Sequence, residues 1–326
     1  LMVEKGRRFS NEDFPKTNWD LPNWLWLPAL NFRGIFQMTF FRHLTVFSGV
    51  GVGGGSLVYA CTLPTPGDDF FQASSWGELA NWKEELKPHY ETALRMLGAA
   101  SAPATSAADR SLKELAQDMG RPDDWKPTRV SIYFGKPGVT VEDPYFEGAG
   151  PQKTGCVQCG GCMLGCGRGS KNSLDQNYLY LAEKLGLTIL PDTEVVAVRP
   201  LVGGGYRVEA REDRGWLARK QKRAWTADNV IFSGGVLGTV DLLSRMKEDS
   251  NGLNNLSDCV GEFVRTNSES LTAVISPESP HDFSKGIAIS SILHTDEYSH
   301  IEPVRYPEGS GFFRLLMAPH APGKTV

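Results

Sequence analysis

Ser48-Gly49-Val50-Gly51-Val52-Gly53-Gly54-Gly55-Ser56-Leu57-Val58-Tyr59 is the stretch that decides the fold of this 326-residue chain. Five glycines within seven positions remove Cβ atoms from the backbone, so a large ligand can approach the main-chain N–H groups. Gly49, Gly51 and Gly54 satisfy the spacing G-x-G-x-x-G, but Pro64 stops any helix after two turns, unlike the primary dinucleotide fingerprint. A flexible linker is the alternative interpretation, and the apolar segments on both sides argue against it.

The composition is that of an ordinary globular protein with a sizeable core and more than one domain. Apolar residues make up 40% of the chain and charged residues 22%. The formal net charge of −4 gives no basic field that would recruit nucleic acid, and we interpret the basic run 219–223 as a solvated hairpin. No apolar run approaches the ~18 residues of a transmembrane segment.

Four of the six cysteines form a tight cluster at Cys156, Cys159, Cys162 and Cys166. Their C-x2-C-x2-C-x3-C spacing is that of bacterial ferredoxins, in which three thiolates wrap one iron–sulfur cluster and a fourth reaches out. We predict a metal site on these thiols; an iron–sulfur cluster, zinc and unmetallated thiols are the alternatives left open. The clustering favours a reducing compartment, and we expect a cytoplasmic protein.

The first six residues have the form of a buried strand end followed by an acid and a glycine. In a dinucleotide-binding unit the acid at the tip of the second strand accepts hydrogen bonds from the adenosine ribose, and Glu4 fits that role. The first strand and its glycine loop would then lie upstream of Leu1, so we expect the opening βα unit to be missing. A surface charge at a strand end is the alternative interpretation of Glu4.

Hydrophobic periodicity predicts helices and strands along the rest of the chain. The predicted helices are 76–97 with a kink at Pro88, 112–119, 173–185 with Asn172 as N-cap, and about 237–246. The predicted strands are 129–141, 187–190, 194–198, 206–210, 224–232, 259–265, 273–276, 286–293 and 312–317. Gly234 and Gly235 follow a strand and precede a helix, which places bare backbone and a positive helix end where a dinucleotide could sit.

Glu302 stands in a short apolar patch, His300-Ile301-Glu302-Pro303-Val304. A carboxylate in such surroundings would be desolvated, its pKa would rise, and it could act as a base. A solvent-facing glutamate is the alternative interpretation.

Several of these segments together resemble the glucose–methanol–choline (GMC) flavoprotein oxidoreductases, and within them the cholesterol-oxidase-like branch. No single segment is decisive, but together they span nearly the whole chain in the expected order. The matching pieces are Val3–Gly6, Gly51–Tyr59, Trp82–Tyr90, Cys159–Cys166 leading into Lys171–Leu174, Ser233–Thr239 and Val264–Glu269.

The resemblance implies a mixed α/β fold in which a Rossmann-like FAD-binding domain carries a second, antiparallel-sheet substrate domain. We expect the FAD domain at 1–65 and 150–266, a helical and loop insertion over the flavin at 66–149, and the substrate domain at 267–326. The cofactor-binding residues that the resemblance implies are Glu4, Gly51, Gly53, Gly54, Gly55, Ser56, Tyr59, Val195, Gly234 and Gly235. Tyr59 replaces an Asn that many members carry, so the flavin contacts differ in detail.

The activity that the resemblance implies is oxidation of a secondary alcohol on a sterol or similar hydrophobic molecule, with hydride passing to flavin N5. Glu302 is the catalytic candidate and could also move a proton from C4 to C6 of a steroid. The electron acceptor would be O2 or an external acceptor. A GMC dehydrogenase with an iron–sulfur cluster, an electron-transfer protein without organic substrate, and a degenerate homologue are the alternatives. The family's C-terminal His and Asn pair has no candidate motif before Val326, so we expect this fragment alone to be inactive.

Overall fold

The computed structural model describes residues 1–215, 219–267, 269–273 and 282–317, which form short helices and strands in alternation. The helices are α1 (Leu21–Trp24), α2 (Asp68–Phe71), α3 (Trp82–Met96), α4 (Ala107–Asp118), α5 (Tyr178–Lys184) and α6 (Gly235–Glu248). The strands are β1 (Met2–Val3), β2 (Trp26–Leu27), β3 (Phe32–Arg33), β4 (Phe36–Phe40), β5 (Thr45–Gly49), β6 (Ala100–Ser101), β7 (Trp125–Pro127), β8 (Arg129–Val130), β9 (Thr140–Val141), β10 (Lys153–Thr154), β11 (Ile189–Leu190), β12 (Thr193–Pro200), β13 (Tyr206–Glu212), β14 (Gln221–Ala227), β15 (Ser291–His294) and β16 (His300–Ile301). The predicted mixed class is confirmed. No helix among these residues is both long and apolar enough to cross a membrane.

A parallel strand pair joins the first residues of the chain to residues near position 190. β1 pairs with β11 in the register Met2↔Ile189 and Val3↔Leu190. The pairing continues into β12, because the Thr193 N–H donates to the Glu4 carbonyl at 2.8 Å. β12, β13 and β14 then form an antiparallel meander. Its last strand carries the end of the basic run, where Arg223 pairs with Glu212 at 2.7 Å.

A second antiparallel sheet, in the order β16-β15-β7, joins two distant parts of the chain. β15 pairs with β7 through Ser291↔Pro127 and with β16 through Leu293↔Ile301. The helix that precedes β7, α4, packs on β15 through Leu112 and Ala116 against Leu293. This sheet positions the segment that follows β16, which carries Glu302.

Side-chain caps decide where two helices begin. α4 begins at Ala107, five residues earlier than predicted, because Ser106 and Asp109 form a capping box. α5 begins at Tyr178 and not at 173, since a 3₁₀ turn occupies Leu174–Gln176 and the Asn177 side chain caps the helix. The predicted N-cap at Asn172 is therefore wrong.

Several predicted strands take other forms. The strand predicted at 129–141 reduces to β8 and β9, and the residues predicted as a strand at 259–265 form turns. Phe312–Leu316 is a 3₁₀ helix instead of a strand because Phe312 and Phe313 both pack edge-on against Trp24. Most of the strand predicted at 273–276 lies outside the described residues.

Two buried clusters lie on either side of the glycine loop 49–55. The first is built from Phe9, Trp24, Ile35, Phe36, Leu57, Val58 and Leu164. The second is built from Cys61, Ala102, Val130, Ile132, Cys162, Ile287 and Ala288. Because the residues that follow the loop enter both clusters, the loop is fixed at the junction between them.

Candidate cofactor and active site

The Glu4 carboxylate and the glycine loop meet directly. Glu4 Oε1 accepts the Gly6 N–H at 2.8 Å and the Gly51 N–H at 3.2 Å. Burial raises the pKa of Glu4, while the two backbone hydrogen bonds oppose that rise. A strand-end acid is thereby placed beside the bare backbone of the glycine loop.

The glycines of the loop serve different purposes, because some are required by protein packing and others leave the backbone open to a ligand. Gly51 has φ +135°, and a Cβ added there would lie 2.6 Å from the Phe9 ring, so protein packing alone demands glycine. An added Cβ at Gly54 or Gly55 would meet no atom within 4 Å. The loop therefore presents an open, side-chain-free surface at these two residues, which is the surface that a bound diphosphate needs.

The residues after the glycines are bound by the side chain of Lys171 and the backbone of Leu174. Ser56 Oγ donates to the Gly53 carbonyl at 2.7 Å and accepts the Leu174 N–H at 2.9 Å. The buried Lys171 ammonium donates to the carbonyls of Leu57, Tyr59 and Cys162 at 2.9–3.0 Å.

Tyr59 is fixed from two sides at the end of the loop. Its hydroxyl hydrogen-bonds to Ser131 Oγ, and the Lys171 ammonium lies 4.5 Å from its ring centroid. Burial raises the pKa of Tyr59, so this side chain is a neutral phenol at physiological pH. The sequence analysis did not identify the roles of Lys171 and Ser131; the only signal was that Lys171 opens one of the family-like segments.

Val195 and the Gly234-Gly235 pair lie on two elements that pack together. Val195 is in β12 opposite Ala210. Gly234 and Gly235 stand at the start of α6, which packs on β12 through a 3.3 Å contact of the Val198 N–H with Met246 Sδ. Gly235 has φ +70°, and a Cβ added there would have no neighbour within 4 Å.

Lys5 connects this pair of elements to the end of β1. Its ammonium is hydrogen-bonded to Gln37 at 2.5 Å. Burial lowers the pKa of Lys5, and the charges of Glu194 on β12 and Asp241 on α6 oppose that effect. Lys5 is therefore close enough to interact electrostatically with carboxylates on both β12 and α6.

The structure does not support the predicted metal site on the four clustered cysteines. They line a cavity of about 10 Å³. Among the described residues, no group of three or more His, Cys, Asp or Glu side chains could hold a metal ion. The iron–sulfur and zinc predictions are therefore not supported.

Three of the four thiols are buried or partly buried in the fold. Burial raises the pKa of Cys156 to about 12 and also raises that of Cys166. Cys162 Sγ accepts the Ala288 N–H at 3.4 Å, and Cys159 is exposed. The cysteine run is a structural loop that packs against 286–288.

Glu302 follows β16 in a half-buried position. Burial raises its pKa; the charge of His300 opposes the rise and that of Glu269 adds to it. Four residues further on, Tyr306 packs against the cluster that contains Leu57 and Val58. The Glu302 segment and the glycine loop are therefore anchored in one core.

Comparison with known proteins finds similar curated proteins, although the chain matches no model of a protein family. It is 43% identical to a protein named cholesterol oxidase from Acinetobacter baumannii, over 99% of this chain and 59% of the relative. It is 44% identical to proteins of the same name from two Mycobacterium tuberculosis strains, CDC 1551 / Oshkosh and ATCC 25618 / H37Rv, over 97% of this chain and 55% of each relative. The chain is thus a homologue of these proteins and spans somewhat more than half of their length. This similarity supports the cholesterol-oxidase-like resemblance.

Proposed function

We propose that this chain belongs to an FAD-dependent oxidoreductase that oxidises the secondary hydroxyl of a sterol. The observation that carries the proposal is the contact of the Glu4 carboxylate with the Gly51 N–H, next to a loop whose Gly54 and Gly55 face open space. An acid at a strand tip beside bare backbone is the arrangement that binds a ribose and a diphosphate. The homologues named cholesterol oxidase give the substrate class.

The residues present fit an extended flavin nucleotide. Glu4 would bind the adenosine ribose, the backbone of Gly53, Gly54 and Gly55 would approach the diphosphate, and the main chain of Val195 would meet the adenine. Gly51 and Ser56 keep the loop in shape, and Gly234-Gly235 would close the site. Tyr59, a neutral phenol, would pack against the cofactor without adding charge. When bound, FAD would supply the hydride acceptor.

Glu302 is the proposed acid–base residue on the substrate side. Its raised pKa makes it a better proton acceptor than a solvated carboxylate. In its ionised form it would take a proton from C4 of the oxidised steroid and return it at C6, which moves the double bond into conjugation. We propose O2 as the electron acceptor, in keeping with the oxidase name of the relatives.

Visible absorption of the protein at its full natural length tests the proposal. We expect flavin bands that bleach when a 3β-hydroxysteroid is added without oxygen and return when air is admitted. A colourless, FAD-free preparation would refute the proposal. Glu302→Gln should abolish isomerisation, and unchanged isomerisation would remove Glu302 from the site.

A glycine pair tests the cofactor position. Gly55→Ala adds a methyl group that no protein atom opposes, so the fold should persist while FAD affinity falls about tenfold. Gly161→Ala is the control, because its added Cβ would meet only the Cys159 sulfur at 3.4 Å. Equal FAD affinity in both variants would place the cofactor elsewhere.

A further inference from the structure

We infer that Arg305 and Asp109 are positioning residues that hold the Glu302 carboxylate in place for proton transfer. This inference rests on the proposed role of Glu302. It concerns a buried network that joins the start of α4, the segment 287–291 and the chain just after Glu302.

Arg305 is a buried cation with partners from two other parts of the chain. Its side chain is 6% exposed. Nη1 donates to the Ile287 carbonyl at 2.8 Å and to Ser290 Oγ at 3.3 Å, and Nη2 donates to Ser106 Oγ at 2.7 Å. Gly286, at φ +125°, makes room for the guanidinium, since a Cβ added there would collide with it.

Asp109 supplies the opposite charge through shared serine partners. Its Oδ1 accepts hydrogen bonds from Ser290 at 2.7 Å and Ser291 at 2.6 Å, and its Oδ2 accepts one from Ser106 at 2.6 Å. Burial raises the pKa of Asp109, but these hydrogen bonds outweigh it, so the net pKa lies below the ordinary value. The aspartate is therefore ionised, and the network contains one buried cation and one buried anion.

Glu302 lies between two fixed points, Ile301 and Arg305, that are separated by three residues. Before it, Ile301 pairs with Leu293 in the β15–β16 ladder. After it, the Arg305 N–H donates to the Ala288 carbonyl at 3.0 Å, and the guanidinium is bound as described. Pro303, with its fixed φ, removes further freedom from this short span. Displacement of Arg305 must therefore move Glu302 relative to the core.

The test compares Arg305→Lys and Asp109→Asn with a control ion pair, in the FAD-loaded protein at its full natural length. Lysine keeps the charge of Arg305, but its single nitrogen cannot reproduce the contacts that Nη1 and Nη2 make from two separate positions. Arg199→Lys is the control, because Arg199 of β12 pairs at 2.6 Å with Asp249, the residue after α6, and neither belongs to this network. Circular dichroism and flavin content verify that each variant is folded and loaded.

We expect Arg305→Lys and Asp109→Asn to slow isomerisation of a 5-ene-3-ketosteroid ten- to a hundredfold, as small misplacements of a catalytic group do. The apparent pKa of that step should also fall towards that of a solvated glutamate, because a displaced Glu302 gains water; His300 and Glu269 are the charged groups that face it. Arg199→Lys should change neither quantity.

Folded variants with the wild-type rate and pH profile would overturn the positioning role. Where Arg305→Lys does not fold, Ser290→Ala serves instead, because it removes one partner of each charged residue and leaves both charges in place. If Glu302→Gln itself leaves isomerisation intact, the proposed function of Glu302 fails. A defect in Glu302→Gln with none in the network variants would refute only the present inference.

Discussion

At Gly51, backbone conformation and packing both require glycine. A residue with a Cβ would be forced to φ +135° and against Phe9 and Leu57. We therefore expect Gly51→Ala to lower the free energy of unfolding by about 2 kcal/mol, as overpacking in a core does. Gly55→Ala is the matched control, since Gly55 does not have a left-handed φ and no atom lies within 4 Å of an added Cβ. Urea unfolding measures both, and equal midpoints would contradict the packing argument.

Lys153 gives a prediction about pH. It is 1% exposed, and burial lowers its pKa from 10.5 to about 8. Between pH 8 and 10.5 the unfolded chain binds more protons than the folded chain. The free energy of unfolding should therefore rise with pH across this window, and the gain is lost as the pH falls through about 8. The change in unfolding free energy across the whole window is about 3 kcal/mol.

Lys153→Met isolates this contribution. The variant should lack that rise, so the wild-type minus variant difference in unfolding free energy should increase by up to ~3 kcal/mol from pH 8 to 10.5. Groups other than Lys153 cancel in the difference. A difference that stays constant over the window would mean that the lysine is solvated.

At the scale of elements, Pro88 offers a direct test. Pro88 is exposed and lies inside α3. The helix continues past it, so the position at which we predicted a kink lies within one continuous helix. Proline leaves the Glu84 carbonyl without its helical donor and has the poorest helix propensity. Pro88→Ala should raise the unfolding free energy by about 1–3 kcal/mol, measured by urea denaturation. A lower unfolding free energy in the variant would show that α3 packs better with the local distortion that Pro88 causes.

Elements with a local cause could be predicted from the sequence, and those set by distant contacts could not. The strand end at Val3 and the helix after Gly234 follow from apolar runs and adjacent glycines, and both are present. The strand predicted at 312–317 is wrong because aromatic contacts with Trp24, almost 300 residues earlier in the chain, favour a 3₁₀ turn. The same holds for the site: Glu4 and Gly51 have local patterns. In the Arg305–Asp109 network only Ser106 and Asp109 have one, the capping-box spacing, and it does not point to Arg305.

At the scale of the whole molecule, three distant segments converge on the glycine loop. Gly51 is bound by Glu4, the loop's end is bound by Lys171, and Tyr306 packs against the cluster that contains Leu57. Each contact spans more than 40 residues of sequence, so the site forms only when the two core clusters have both assembled. Lys171 is central to this convergence, because its ammonium binds the loop and the cysteine run together.

The state of the cysteine run can be measured on the whole folded protein. Of the six thiols, Cys159 and Cys259 are exposed, whereas Cys61 and Cys162 are buried and Cys156 and Cys166 are partly buried with raised pKa values. Because thiolates are the reactive form, an aromatic disulfide reagent should label two thiols rapidly and the others only after unfolding. Cys159→Ser should remove one rapid equivalent, and Cys259→Ser, outside the run, should remove the other as a matched control. Protection of Cys159 that is relieved by an iron chelator would instead show a metal cluster in the loop and overturn our assignment of the run as a structural element.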